Sequence, residues 1–171
     1  MTTPSMTTLS IPFLIDYLYW MRDRVLEHAT TPDDVPLRGG PTLHGRDLLA
    51  TLAHELDVEM SWRGKLQGLP IEQWGPAAEI KPEQFASFAA LRAAWADHEA
   101  RTRSWLAGQT PEALAAPTSV NGLDGRPLTD YLHHVVVHAA TEFAIASGLL
   151  AALGREVGDI SILAKLSRHD S

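Results

Sequence analysis

The sequence predicts an all-α fold, a four-helix bundle with long loops, on three observations. Four long segments place apolar residues at three- and four-residue steps. No long stretch alternates apolar and polar residues as a half-buried strand would, and Pro- and Gly-rich connections separate the four segments. With 45% hydrophobic and 20% charged residues among 171, the composition suits one globular domain, taken as residues 1–171.

The first helix is expected from Ser10 to His28. Leu14, Tyr17, Leu18, Met21, Val25 and Leu26 form its stripe, Ser10 is its N-cap, and Pro12 falls in the tolerant first turn. The second runs from Arg46 to Leu66 on Leu48, Leu49, Leu52, Leu56 and Met60. The third, Pro82 to Leu106, interleaves Phe88, Trp95 and Thr102 with Leu91, His98 and Trp105 at seven-residue spacing, the seam of a helix packed nearly antiparallel to a neighbour. The fourth spans Pro127 to Leu153 and stops at Gly154, a C′ glycine. The last long loop holds a short helix from Pro111 and a turn at Asp124-Gly125. The short tail after Gly154, with Ile160, Ile162, Leu163 and Leu166, is expected to lie on the bundle. The loop "TTPDDVPLRGGPT" joins the first two helices; its Gly39-Gly40 is flexible loop and not a phosphate cradle, because no lysine or helix start follows in the right place.

A formal charge of −7 with no basic stripe argues against nucleic acid. The absence of cysteine removes disulfides, thiolate metal sites and a cysteine nucleophile, and leaves His, Asp and Glu for any chemistry. The opening "MTTPSMTTLS" lacks the basic-then-apolar pattern of a signal peptide, and no apolar run is read as approaching the roughly 20 residues of a membrane helix. No membrane partner and a cytoplasmic location are the expectations.

The informative stretch is "HHVVVHAATEF", residues 133 to 143. On a wheel of about 100° per residue, His138 sits with Tyr131 and Leu149, Glu142 falls inside the same apolar stripe, and His134 lies at its edge. An inward carboxylate must be protonated, paired with a cation or bound to a metal. No Lys or Arg lies between Arg126 and Arg155, so its own helix offers no cation. The i, i+4 spacing of His138 and Glu142 suits two ligands of one ion, and it suits equally a glutamate facing a wet cleft beside a hydrogen-bonded histidine. On the second helix the wheel puts His54 opposite Leu49, Leu52 and Leu56, the place of a surface histidine. His98 reads as a partly buried core histidine and Tyr131 as core packing. Trp20, Trp95 and Trp105 read as helix packing, and Trp62, two turns beyond His54, as packing or a cavity wall. Glu55, Asp57 and Glu59 read as solvated helix charges.

Four segments carry a resemblance: "LIDYLYWMRDRVL", "RDLLATLAHELDVEMSWRGKLQG", "FAALRAAWADHEARTRSWLAGQTPEALAAP" and, most specifically, "DGRPLTDYLHHVVVHAATEFAIASGLLAALG". Over nearly its whole length the chain resembles the DinB-like family of bacterial four-helix bundles, which includes the YfiT-type metal-dependent hydrolases. The resemblance implies a divalent metal, zinc or nickel, on three histidines, one from the second helix and an HxxxH pair from the fourth. By position the ligands are His54, His138 and Glu142, because the family's last histidine stands twelve residues before the closing glycine, as Glu142 does before Gly154. The chain departs from the family here: a glutamate replaces the third histidine, and Phe143-Ala144 replace the usual Arg-Gly. His134 is a reserve ligand that would restore a histidine pair with His138, one turn out of place. The implied activity is metal-dependent hydrolysis or thiol-dependent S-transfer on a small-molecule substrate, with a low-molecular-weight thiol as partner and a homodimer as assembly. No general base is identified. The alternative is a non-catalytic, stress-linked metal-binding or scaffold dimer with a degenerate site.

Overall fold

The computed structural model describes residues 10–30 and 38–167. The readings made on residues 1–9 and on the "TPDDVPL" half of the first loop lie outside the described residues.

The chain forms α1 (Ile11–Thr30), α2 (Leu48–Leu66), α3 (Phe88–Ala107), a short α4 (Pro111–Ala115), α5 (Leu128–Ala152) and a short α6 (Ile162–Leu166). Strands are absent among the described residues; two isolated bridges, Leu43 with Arg46 and Pro117 with Pro127, are the only β-type pairings there. The four long helices occupy the corners of a square. α5 packs on α1 and on α2, α3 packs on the same two from the other side, and α1/α2 and α3/α5 are the diagonals. Across the second diagonal the rings of Trp95 and Phe143 meet with centroids 5.6 Å apart, and both side chains are fully buried.

The expected stripes face inward: all six apolar residues picked out on α1 are buried, as are Leu48, Leu49, Leu52 and Leu56 on α2. The seam of α3 buries Phe88, Leu91, Trp95, His98 and Thr102. Its start differs from the expectation. Pro82–Gln84 makes one isolated 3₁₀ turn, the chain extends at Phe85, and the Ser87 hydroxyl accepts from the Ala90 amide to begin the helix six residues after Pro82. A proline followed by an acidic residue is as good a start for a single turn as for a helix, and the local pattern does not separate the two. At the other end, Gly154 takes φ +77°, the left-handed conformation that closes α5. The tail lies on α1 as expected: Tyr17 donates to the Ile160 carbonyl (3.0 Å) and Arg24 to the Val157 carbonyl (2.8 Å).

One expectation is corrected. α5 is long and apolar enough to cross a membrane, with a mean hydropathy of 1.6 over its most apolar window. Its inner face, with Ala139, Phe143, Ala146 and Leu150 wholly buried, is packed against α1 and α2, so this is the core helix of the bundle. The pairing of α2 with α5 is what positions the site.

Candidate metal centre

α2 supplies His54, and α5 supplies His138 and Glu142 one turn apart on the same face. Each offers one donor atom, and the three atoms lie within 4.8 Å of one another. Glu142 is 7% exposed and His138 half-buried, as their places in the apolar stripe predict. The wheel misplaces His54. It is half-buried, with its ring 5.7 Å from that of His138, because α2 is packed on more than its leucine side: Thr51, Glu55 and Glu59 are also inside. Among the described residues neither ring nitrogen of His54 has a hydrogen-bond partner, and burial holds the imidazole below its ordinary pKa, with the Arg46 charge adding to the effect.

The cation missing from α5 comes from another element. Leu43 and Arg46 exchange backbone hydrogen bonds (3.0 and 3.1 Å) around a two-residue turn in which His44 and Gly45 have φ of +54° and +76°. Both central residues of such a turn need positive φ, which Gly45 adopts without strain. Asp47 then caps α2 through the Ala50 amide and also accepts from the Gly39 amide. This turn aims Arg46 into the bundle, where one guanidinium nitrogen, Nη2, stands 2.9 Å from both carboxylate oxygens of Glu142. Glu142 is therefore already ion-paired.

Against His138 sits a residue that the sequence pattern assigned to solvent. Glu55 is 0% exposed, and its Oε2 lies 2.7 Å from Nδ1 of His138. Burial raises its pKa well above the ordinary carboxylate value, and the charges of Glu59 and Glu142 push the same way. Glu59 is 3% exposed, accepts from Trp95 Nε1 (3.2 Å), and places Oε2 3.2 Å from His98 Nε2. Only Asp57 approaches the expectation; it is half-buried and accepts from the Ile80 amide at 2.7 Å. One sequence signal for the buried pair existed: two glutamates at i, i+4 repel on a solvated helix face.

His134 is exposed and stands outside the three-donor group, with its ring 6.2 Å from that of His138. It meets the edge of Trp62 at 5.0 Å, and Trp62 in turn stacks on Tyr131. Tyr131 packs as expected, and its hydroxyl donates to Asp124. Trp62, Arg126, Asp130, Tyr131, His133 and His134 line a cleft of about 500 Å³, so Trp62 is both packing and wall.

Two nitrogens and a carboxylate oxygen from two helices are a donor set that divalent zinc or nickel accepts, with coordination positions to spare. The Glu55 contact strengthens the fit. If Nδ1–H of His138 donates to this carboxylate, Nε2 is the nitrogen left to ligate, the arrangement that fixes tautomer and orientation in metal-binding histidines. Burial also lowers the pKa of His138, which favours the neutral ring a metal needs.

No curated protein and no solved structure matches the chain. The family model of the DinB superfamily matches residues 17–143, from within α1 to the middle of α5. That stretch contains His54, His138 and Glu142, and over it the chain belongs to the DinB superfamily.

Proposed function

We propose that this chain is a metal-dependent enzyme that holds one divalent ion, zinc or nickel, on His54, His138 and Glu142. The observation that carries the proposal is the convergence of the three donor atoms within 4.8 Å across the α2–α5 seam. An ion there would supply a Lewis acid able to lower the pKa of a water or a thiol. The residues around it have separable tasks. Glu55 orients His138, Arg46 holds Glu142, and the Trp62–His134 cleft offers an aromatic wall beside the site for the body of a small-molecule substrate. The reaction class is hydrolysis or thiol-dependent S-transfer, with a low-molecular-weight thiol as co-substrate and a second copy of the chain as partner.

A second reading rests on the Arg46–Glu142 pair. Because the guanidinium already neutralises the buried carboxylate, the same residues suit a scaffold or stress-linked protein whose metal site has decayed. Elemental analysis of protein purified without added metal separates the two. The enzyme reading expects about one equivalent of zinc or nickel in the wild type, lost in both His138→Ala and Glu142→Ala. A wild type without metal, whose stability is also indifferent to added zinc, establishes the scaffold. Where metal is found, a screen of ester hydrolysis and thiol transfer identifies the chemistry.

A further inference from the structure

A glutamate in place of a neutral histidine adds one negative charge to a ligand set, which tightens its hold on a dication and weakens the ion as a Lewis acid. In this chain a positive charge stands beside that glutamate, delivered by the turn before α2: Nη2 of Arg46 is 2.9 Å from both Oε1 and Oε2 of Glu142. The contact is made by one nitrogen straddling the carboxylate, while Nε of Arg46 is buried and makes no hydrogen bond among the described residues. It differs from the two-nitrogen fork of a structural Arg–carboxylate clamp. Such a contact neutralises the carboxylate, and each oxygen keeps a further lone pair with which to ligate.

We propose that Arg46 is a positioning and charge-compensating residue for the metal centre, and that Glu142 and Arg46 together replace one neutral histidine. The inference rests on the metal reading above. Glu142 contributes one negative charge and Arg46 one positive, so the ligand set plus its counter-ion is neutral, as a set of three histidines is. The compensation keeps the ion electrophilic despite its carboxylate ligand. It also accounts for a carboxylate that is 7% exposed on a helix offering no cation of its own.

The proposal predicts a ladder of zinc affinities set by charge. Arg46→Met leaves one net negative charge and should bind zinc most tightly. The wild type and the double variant Arg46→Met/Glu142→His are both neutral and should bind alike. Glu142→His alone leaves the Arg46 charge uncompensated and should bind most weakly. Each step is about tenfold or more in Kd, the scale of one added charge in a partly buried site. Arg46→Lys keeps the charge and should stay near the wild type. The measurement is zinc competition against a chromophoric chelator on metal-stripped full-length protein, with Tm recorded with and without zinc. Stripped Arg46→Met should melt below the wild type, because Glu142 is left buried and unpaired, and saturating zinc should close the gap. The double variant carries no uncompensated charge, so the comparison survives if Arg46→Met folds poorly. Equal or weaker zinc binding by Arg46→Met, or tighter binding by Glu142→His alone than by the double variant, overturns the role of Arg46 and leaves the metal reading standing. A wild type that binds no zinc, with His138→Ala indistinguishable from it, overturns both.

Discussion

α2 carries two buried polar clusters, one turn apart, and they are built to opposite ends. Toward α3, Glu59 meets Trp95 and His98, while His98 accepts from Arg63 Nε on Nδ1 (3.3 Å) and turns Nε2 toward Glu59 Oε2 and Thr102 Oγ1 (3.2 and 3.3 Å). Both nitrogens of His98 are engaged, so its proton sits on Nε2 and nothing is left for a ligand. Toward α5, His138 has one nitrogen on Glu55, and His54 has neither ring nitrogen hydrogen-bonded among the described residues. A histidine with both ring nitrogens engaged is a core residue; ring nitrogens left open and pointed at one another are free to ligate. The difference lies in which nitrogens are occupied, since both clusters set a glutamate of α2 against a histidine of the facing helix.

The comparison can be broken from either side. The largest effect belongs to the closed cluster. Trp95→Ala removes a fully buried indole, its contact with Phe143 and the donor to Glu59, and should cost about 3–5 kcal/mol in urea unfolding. Zinc stoichiometry of the folded fraction should not change. In the open cluster the pattern reverses: His54→Ala should move stability by no more than about 0.5 kcal/mol while raising the zinc Kd by about a hundredfold, which is about 2.7 kcal/mol. A stability loss comparable to that of Trp95→Ala would show that His54 is a core residue and nothing more. Glu55→Gln sharpens the comparison further. It keeps an acceptor for His138 but removes the carboxyl group, so the zinc Kd should rise about tenfold, with no loss of stability in the metal-free protein.

The smallest effect serves as an outside control, from an ion-pair network at the α1–α3 surface in which Glu99 meets Arg22 and Arg103, each at 2.7 Å. Burial alone would raise the Glu99 pKa, but hydrogen bonds from Arg103 and Arg22 outweigh it and hold the group below the usual 4.5. A depressed carboxylate stabilises the fold above its unfolded pKa and loses that contribution as pH falls through its folded value. The wild type should therefore weaken as pH drops below about 4.5, and Glu99→Gln should show a shallower acid slope in thermal melts, with zinc binding at neutral pH unaltered.

The four long helices were legible in the sequence because each buries a stripe of residues at helical period, and the ends marked by Ser10 and Gly154 fell where capping chemistry puts them. His138 and Glu142 were legible for the same reason: they interrupt the apolar face of the most hydrophobic helix, where a polar residue is conspicuous. His54, Glu55 and Glu59 were misread because a wheel built on leucines treats every charged residue as outward. α2 is enclosed by both α3 and α5, so its buried arc is wider than its leucines, and the polar members of that arc look like surface.

The sequence alone determined the all-α class, the helix stripes and the presence of an acid in the core face of α5, since these follow from local periodicity and the cost of burying charge. Which partner neutralises that acid was decided only in three dimensions. Arg46 lies 96 residues from Glu142 along the chain, and no local pattern links a turn before α2 to the middle of α5. Only the packing of α2 against α5, with the left-handed turn at His44-Gly45, brings the guanidinium, the two imidazoles and the carboxylate to one place.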